Sequence, residues 1–251
     1  MDWSRFELLT FDCYGTLIDW ETGILEAVRP LLARHGMAAE DEAVLAAFAR
    51  QETRAELELS PRASRPLLYK EVLILTLAGM GQELGLPLAM EELLALRDSL
   101  QRWPAFPDVP EALRALRPHH RLAILSNVDD DLFAFSQAQL GVSFDWVITA
   151  EQVGHYKPHP AHFRAILERS GLPVERVLHV AQSLHHDIRP AREMGFTTVW
   201  VNRRQGRSGG ATPPAQAIPH LEVPDLATLV ARMGYGPSQG PGHGAHDGTQ
   251  G

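Results

Sequence analysis

The sequence predicts an α/β fold: a parallel sheet wrapped by helices, with an all-helical module inserted after the first strand. Three observations predict it. Five short apolar segments have the length and composition of buried strands. Helix-like segments precede each of the last four at the spacing of βα units, which implies parallel strands covered on both faces. Residues 20 to 103 break that rhythm, showing helical periodicity and no convincing strand.

Leu8–Phe11 is apolar and β-prone, and Gly15 lies close behind it, so a buried strand ends here at a loop. Asp12 stands at its end, either as a cap for the next turn or as a chemical group held at a sheet edge. The insertion comes next, with apolar helical rows at Ile24/Leu25/Val28/Leu31/Leu32, Val44/Leu45/Phe48, Leu68/Val72/Leu75 and Leu93/Leu94/Leu96/Leu100. Proline-rich "WPAFPDVP" at 103–110 marks the return to the sheet domain. A helix over Val109–Leu116 sits behind a capping box, Asp108-Val-Pro-Glu111. Strands at Leu122–Leu125, Trp146–Thr149, Val177–Ala181 and Thr197–Val201 then alternate with helices at Asp130–Leu140, Ala161–Ser170 and Ile188–Met194. Gly141, Gly171 and Gly195 stand just past the ends of those helices, where a left-handed residue is favoured. The domains expected are a core over 1–19 and 104–233, a helical unit over 20–103, and a Gly-rich disordered tail over 234–251.

Composition narrows the function. With 45% hydrophobic and 22% charged residues the 251-residue chain can bury a substantial core. A net charge of -8 argues against nucleic-acid or anionic-membrane partners. No signal peptide or membrane-length apolar run is visible, and a single cysteine excludes an internal disulfide, so a cytoplasmic location is expected. The twelve histidines are scattered, and Pro158 between His155 and His159 denies that pair a helix.

In open parallel sheets, ligands bind beyond the carboxyl ends of the strands. Asp12 follows the first strand, Ser126 and Asn127 the second, Lys157 lies in the loop after the third, and Gln182, Ser183 and Asp187 follow the fourth. Each alone has a bland explanation as a turn former, a helix cap or a loop lysine. Together they mark one edge.

The stretches "FDCYGTLIDW", "AILSN", "YKPHPAHF" and "SLHHDIRPA", in that order and spacing, resemble the four motifs of the haloacid dehalogenase superfamily. The resemblance covers about residues 6 to 203. It implies a Rossmann-like core with an all-helical cap domain, and Asp12 as a nucleophile that forms an ester with the substrate, later hydrolysed by water. Thr16 and Ser126 would bind nucleophile or substrate oxygens, Lys157 would hold Asp12, and Asp187 would position Lys157 and the water.

Superfamily phosphatases carry a second aspartate two residues after the nucleophile, to protonate the leaving alkoxide. Tyr14 stands there, and a phenol with a reference pKa near ~10 is a poor general acid. A halide, or the nitrogen of an already protonated strained ring, needs no such acid. Gln182 replaces the usual magnesium-binding aspartate, which points to a site without metal or other cofactor. In the cap, Arg50 lies two residues beyond Phe48, away from the apolar row, and the resemblance suggests that it binds halide or substrate carboxylate, with Asn127 beside it. Phe163, Gln182 and Leu184 depart from the typical L-2-haloacid dehalogenase pattern, while "CYGTLIDWETG" with "WPAFPD" and the amide at 182 resembles azetidine-carboxylate hydrolase-like and uncharacterised dehalogenase-like members. Cys13 alternates away from Asp12 and reads as a packing residue.

The leading expectation is a hydrolase of small 2-substituted carboxylic acids, with a small-molecule carboxylate as partner and, at most, a homodimer as assembly. A magnesium-dependent phosphatase and a non-catalytic binding protein are the alternatives.

Overall fold

The computed structural model describes residues 1–59, 66–207 and 209–235. Six parallel strands form one sheet in the order β3-β2-β1-β4-β5-β6. They are β1 (Leu8–Phe11), β2 (Arg121–Ser126), β3 (Trp146–Thr149), β4 (Val177–Ala181), β5 (Thr197–Val201) and β6 (Leu221–Val223). The chain steps from β1 to β2 and β3, then returns to β4 on the other side of β1. That reversal opens a crevice at the carboxyl ends of β1, β2 and β4.

Side-chain alternation explains why the strands read as continuous apolar runs. Leu9 and Phe11, Leu122 and Ile124, and Leu178 and Val180 enter the apolar layer on one face of the sheet. Leu8, Ala123, Leu125 and Val177 enter the layer on the other, with Phe163, Ile166 and Phe196. Both faces are covered, as a parallel sheet requires.

Between β1 and β2 run α1 (Trp20–Arg34), α2 (Asp41–Arg54), a single π-helical turn (Ala55–Leu59), α3 (Tyr69–Leu84), α4 (Ala95–Ser99) and α5 (Val109–Leu116). The two stretches of chain that connect the inserted helices to the sheet lie side by side. Asp19 N–H donates to Pro104 O at 2.8 Å and Phe106 N–H to Leu17 O at 2.9 Å. Gly23 on α1 faces Trp103 so closely that a Cβ there would lie 2.2 Å from the indole. Two polar clasps tie the helices down. Asp129 caps the start of α3 through the N–H groups of Tyr69 and Lys70, at 2.7 and 3.0 Å. Arg204, from the loop after β5, pairs with Glu21 on α1 and Glu42 on α2.

The remaining helices are α6 (Asp130–Leu140), α7 (Ala150–Val153), α8 (Ala161–Ser170), α9 (Arg189–Glu193) and α10 (Leu226–Met233). Some expectations need correction. Strand β6 has three residues and no apolar run, and it pairs only along the edge of β5. The capping box before α5 does not form. Asp108 instead accepts from Arg203 at 2.7 Å and from Leu226 N–H at 2.8 Å, joining α5 to the loop after β5 and to α10. Leu75 is 39% exposed, because α3 buries Val72, Leu73, Thr76, Leu77 and Met80 instead. A π-helical turn, Leu184–Ile188, replaces the start expected for α9. Of the expected tail, Tyr235 stacks on His119 with ring centroids 3.9 Å apart, while residues 236–251 lie outside the described residues.

Gly23→Ala should lower the melting temperature, although alanine in a helix ordinarily gains about 1 kcal/mol over glycine. Overpacking against Trp103 costs roughly 1–3 kcal/mol. A thermal scan showing equal or higher stability would mean that Trp103 yields freely.

Candidate active site

The site is assembled at the switch point of the sheet. Asp12 follows β1, anchored by its N–H to Val180 O at 3.2 Å. The chain then folds sharply. Cys13 O accepts from the N–H groups of Thr16, Leu17 and Ile18, with Gly15 at a φ of +87° allowing the reversal. The turn returns the Thr16 hydroxyl to Asp12 Oδ2 at 2.7 Å, while the same hydroxyl accepts Gln182 N–H at 2.9 Å.

Lys157 is the central cation. Its ammonium donates to Asp12 Oδ1 at 2.9 Å, to Asp187 Oδ1 at 2.7 Å and to Leu125 O at 2.9 Å. All three N–H bonds are therefore used. Asn127 positions the lysine backbone from both sides, accepting Lys157 N–H at 2.7 Å and donating to Lys157 O at 3.2 Å. Asp187 also receives His179 Nε2 at 3.1 Å, and His179 Nδ1 meets the Thr10 hydroxyl at 2.9 Å. The Thr10 hydroxyl also lies 3.3 Å from Leu178 O. The pair is set by register, since Thr10 and His179 are partners across β1 and β4. Phe163 closes this side with its ring edge-on to His179, centroids 5.1 Å apart.

The two core carboxylates differ. Burial raises Asp12, opposed by the Lys157 charge and the Thr16 hydroxyl. Burial acts on Asp187 too, but Lys157 and His179 outweigh it and hold that carboxyl below its ordinary range. Two carboxyls pushed in opposite directions suit different tasks, the more basic one for attack. Burial lifts the Cys13 thiol well above its usual range, consistent with a packing role.

The inserted helices bring two groups that the pattern of strand ends does not single out. Glu52 and Glu56 are buried and face the same cavity as Asp12, Ser126 and Lys157, a space of about 30 Å³. Glu52 accepts from the Tyr69 hydroxyl, and Glu56 is met by Asn127 Nδ2 at 3.3 Å. Burial raises the Glu52 carboxyl to about 8 and Glu56 well above its ordinary range. The sequence signal for Glu52 lies in the helix period: Leu45 and Phe48 lead to it along the buried face.

Arg50 is not brought to the site. It pairs with Glu83, its Nε 3.0 Å from Oε1, and its side chain is 59% exposed. Its position opposite the apolar row turns it to solvent, not to the sheet edge. Tyr14 does border the cavity, but its hydroxyl is bonded to Ser136 at 2.9 Å. Gln182 donates its main-chain N–H to Thr16 and its side-chain oxygen accepts from Thr212 at 2.9 Å. Leu184 begins the π-helical turn, without a polar contact in the network.

Among the described residues, no three His, Cys, Asp or Glu side chains converge to hold a metal ion. The Lys157 ammonium stands between Asp12 and Asp187.

Residues 6–195 match the model of the haloacid dehalogenase-like hydrolases. The chain belongs to this family. Within the family, a haloacetate dehalogenase from Moraxella sp. (strain B) is 28% identical over 230 residues, covering 90% of this chain and 97% of the relative. An (S)-2-haloacid dehalogenase from Pseudomonas sp. (strain YL) is 28% identical over 227 residues, covering 88% and 92%. A 5-amino-6-(5-phospho-D-ribitylamino)uracil phosphatase from Escherichia coli is 26% identical over 239 residues, covering 91% and 96%. The L-2-haloacid dehalogenase structure from Xanthobacter autotrophicus superposes with a TM-score of 0.74 at 22% identity, covering 90% and 98%, and so shares the fold. No helix among the described residues of this hydrolase is long and apolar enough to cross a membrane.

Glu52 has a pH signature. Its carboxyl is raised from 4.5 to about 8 by folding, so its contribution to stability is full below about 4.5 and is lost as pH rises through about 8. Melting curves across that range should therefore fall less steeply for Glu52→Gln than for the parent, with a difference on the order of a few kcal/mol at most. Parallel curves would mean that Glu52 is already ionised in the folded protein.

Proposed function

We propose that the chain hydrolyses small carboxylic acids bearing a displaceable group at carbon 2, through an ester on Asp12 and without metal. One observation carries this reading: the Lys157 ammonium stands between Asp12 and Asp187 with all its N–H bonds engaged. It balances the nucleophile electrostatically where a cation would otherwise be required.

In this reading an Asp12 oxygen attacks carbon 2 as the bond to the leaving group breaks, the electron pair departing with that group. Water then attacks the ester carbonyl. The unpartnered Oδ2 of Asp187 is a buried acceptor for that water, and His179 and Lys157 hold the carboxylate in place. One water proton is passed by way of Asp187 to the departing 2-oxygen and the other is released to solvent, so that the 2-hydroxy acid leaves with Asp12 restored as its carboxylate. The unpartnered Ser126 hydroxyl is a donor for the substrate carboxylate. Tyr14 offers no practical acid, since burial raises its phenol well above its usual range. That favours a leaving group stable without protonation from the core.

Asp12→Asn should keep the fold at reduced stability and lose roughly 10⁴-fold or more in kcat, the scale for removing a nucleophile. A single turnover in ¹⁸O-water should yield unlabelled product, because the first oxygen comes from the carboxylate. Activity should persist in EDTA and gain nothing from added Mg²⁺. Phosphate-ester hydrolysis abolished by EDTA and restored by Mg²⁺ would overturn the reading in favour of a phosphatase.

A further inference from the structure

The cavity holds more acid than an anionic substrate would favour. Asp12, Asp187, Glu52 and Glu56 all border it, against the single ammonium of Lys157. Lys157 directs its three N–H bonds to Asp12, Asp187 and Leu125, leaving none for Glu52 or Glu56. Among the described residues those two glutamates meet no cation at ion-pair distance. Their contacts are a phenol from Tyr69 and an amide from Asn127. These are hydrogen-bond donors, which hold carboxylates in place but do not join them in coordinating a metal.

Independent features indicate that the cavity receives a polar ligand. The Ser126 hydroxyl and Asp187 Oδ2 are buried there without hydrogen-bond partners. Buried polar atoms are normally satisfied. A ligand carrying an anionic end and a cationic end would satisfy both sides: its carboxylate at Ser126, its N–H donors at the glutamates.

We propose that Glu52 and Glu56 recognise a positively charged nitrogen of the substrate, so that the chain acts on small ammonium-bearing carboxylic acids and discriminates against simple haloacids. The inference rests on the proposed Asp12-ester hydrolysis for its substrate frame, but its recognition step is separable from that chemistry. In this cavity burial disfavours two charged carboxylates. An ammonium brought between them stabilises the charged form through charge-assisted hydrogen bonds.

The test uses matched probes without a leaving group, titrated calorimetrically into the full chain: alanine against 2-methylpropanoate, and proline against cyclopentanecarboxylate. In at least one pair the ammonium member should bind ten-fold or more tightly, and Glu52→Gln and Glu56→Gln should each erase most of that preference. No preference in either pair overturns the inference, as does a preference that survives both substitutions. Should either variant fail to fold, the parent protein's preference within the pairs still decides. Binding of these probes requires no turnover. Intact Asp12-dependent hydrolysis without ammonium preference would overturn this inference alone, whereas ammonium preference without such hydrolysis would overturn the proposed function alone.

Discussion

The buried ammonium of Lys157 is the constraint on which the rest of the site depends. Removing such an ion from water has an effective cost of several kcal/mol. Here the cost is offset by two carboxylates and a main-chain carbonyl, one for each N–H bond. Each partner comes from a different part of the sheet edge: Asp12 after β1, Leu125 on β2, and Asp187 in the turn after β4. The lysine thus joins three segments distant in sequence, and the Asn127 amide fixes the loop that carries it. Loss of one carboxylate would leave the ammonium short of a partner in a place that water scarcely reaches. Stability and chemistry are linked through the same atoms.

A second constraint comes from above the sheet. The inserted helices are fastened at their rim by polar groups, Asp129 at the start of α3 and Arg204 against Glu21 and Glu42. Between those clasps Glu52 and Glu56 are pressed toward Asp12, so closing the site brings like charges together. Burial then favours the protonated carboxyls, and Glu52 is raised to about 8. The cavity that these groups border has a volume of about 30 Å³.

Much of this is legible in the sequence, for physical reasons that also explain the failures. Strands β1 to β5 are buried on both faces, so their apolar runs stand out, and polar residues just past their ends have few roles besides turns and sites. Asp12, Ser126, Asn127, Lys157 and Asp187 stand out in this way, Thr16 through the family resemblance, and the structure brings all six to one edge. Strand β6 escapes because an edge strand needs no apolar run. His179 escapes because it lies within a strand, and only the β1–β4 register reveals Thr10 beside it. Arg50 misleads because an anionic substrate draws attention to basic residues in the cap. The helical period that turns Arg50 outward places Glu52 inward, behind Leu45 and Phe48. Leu75 shows the converse: leucine on a helix is not evidence of burial until the neighbouring face is known.

Tyr14 links these levels. Two residues past Asp12, it occupies the place of an acid, yet its hydroxyl is held by Ser136 and raised well above its usual range by burial. Its ring lies edge-on to Trp103, with centroids 5.8 Å apart, and is stacked near Tyr69. Trp103 in turn packs on Gly23 beside the paired connections between sheet and inserted helices. The position is thus used to join the Asp12 turn to the helices that close over it, and Tyr69 passes that contact on to Glu52 through its own hydroxyl. In the proposed reaction Tyr14 therefore serves to join the turn to the helices and not as a source of protons.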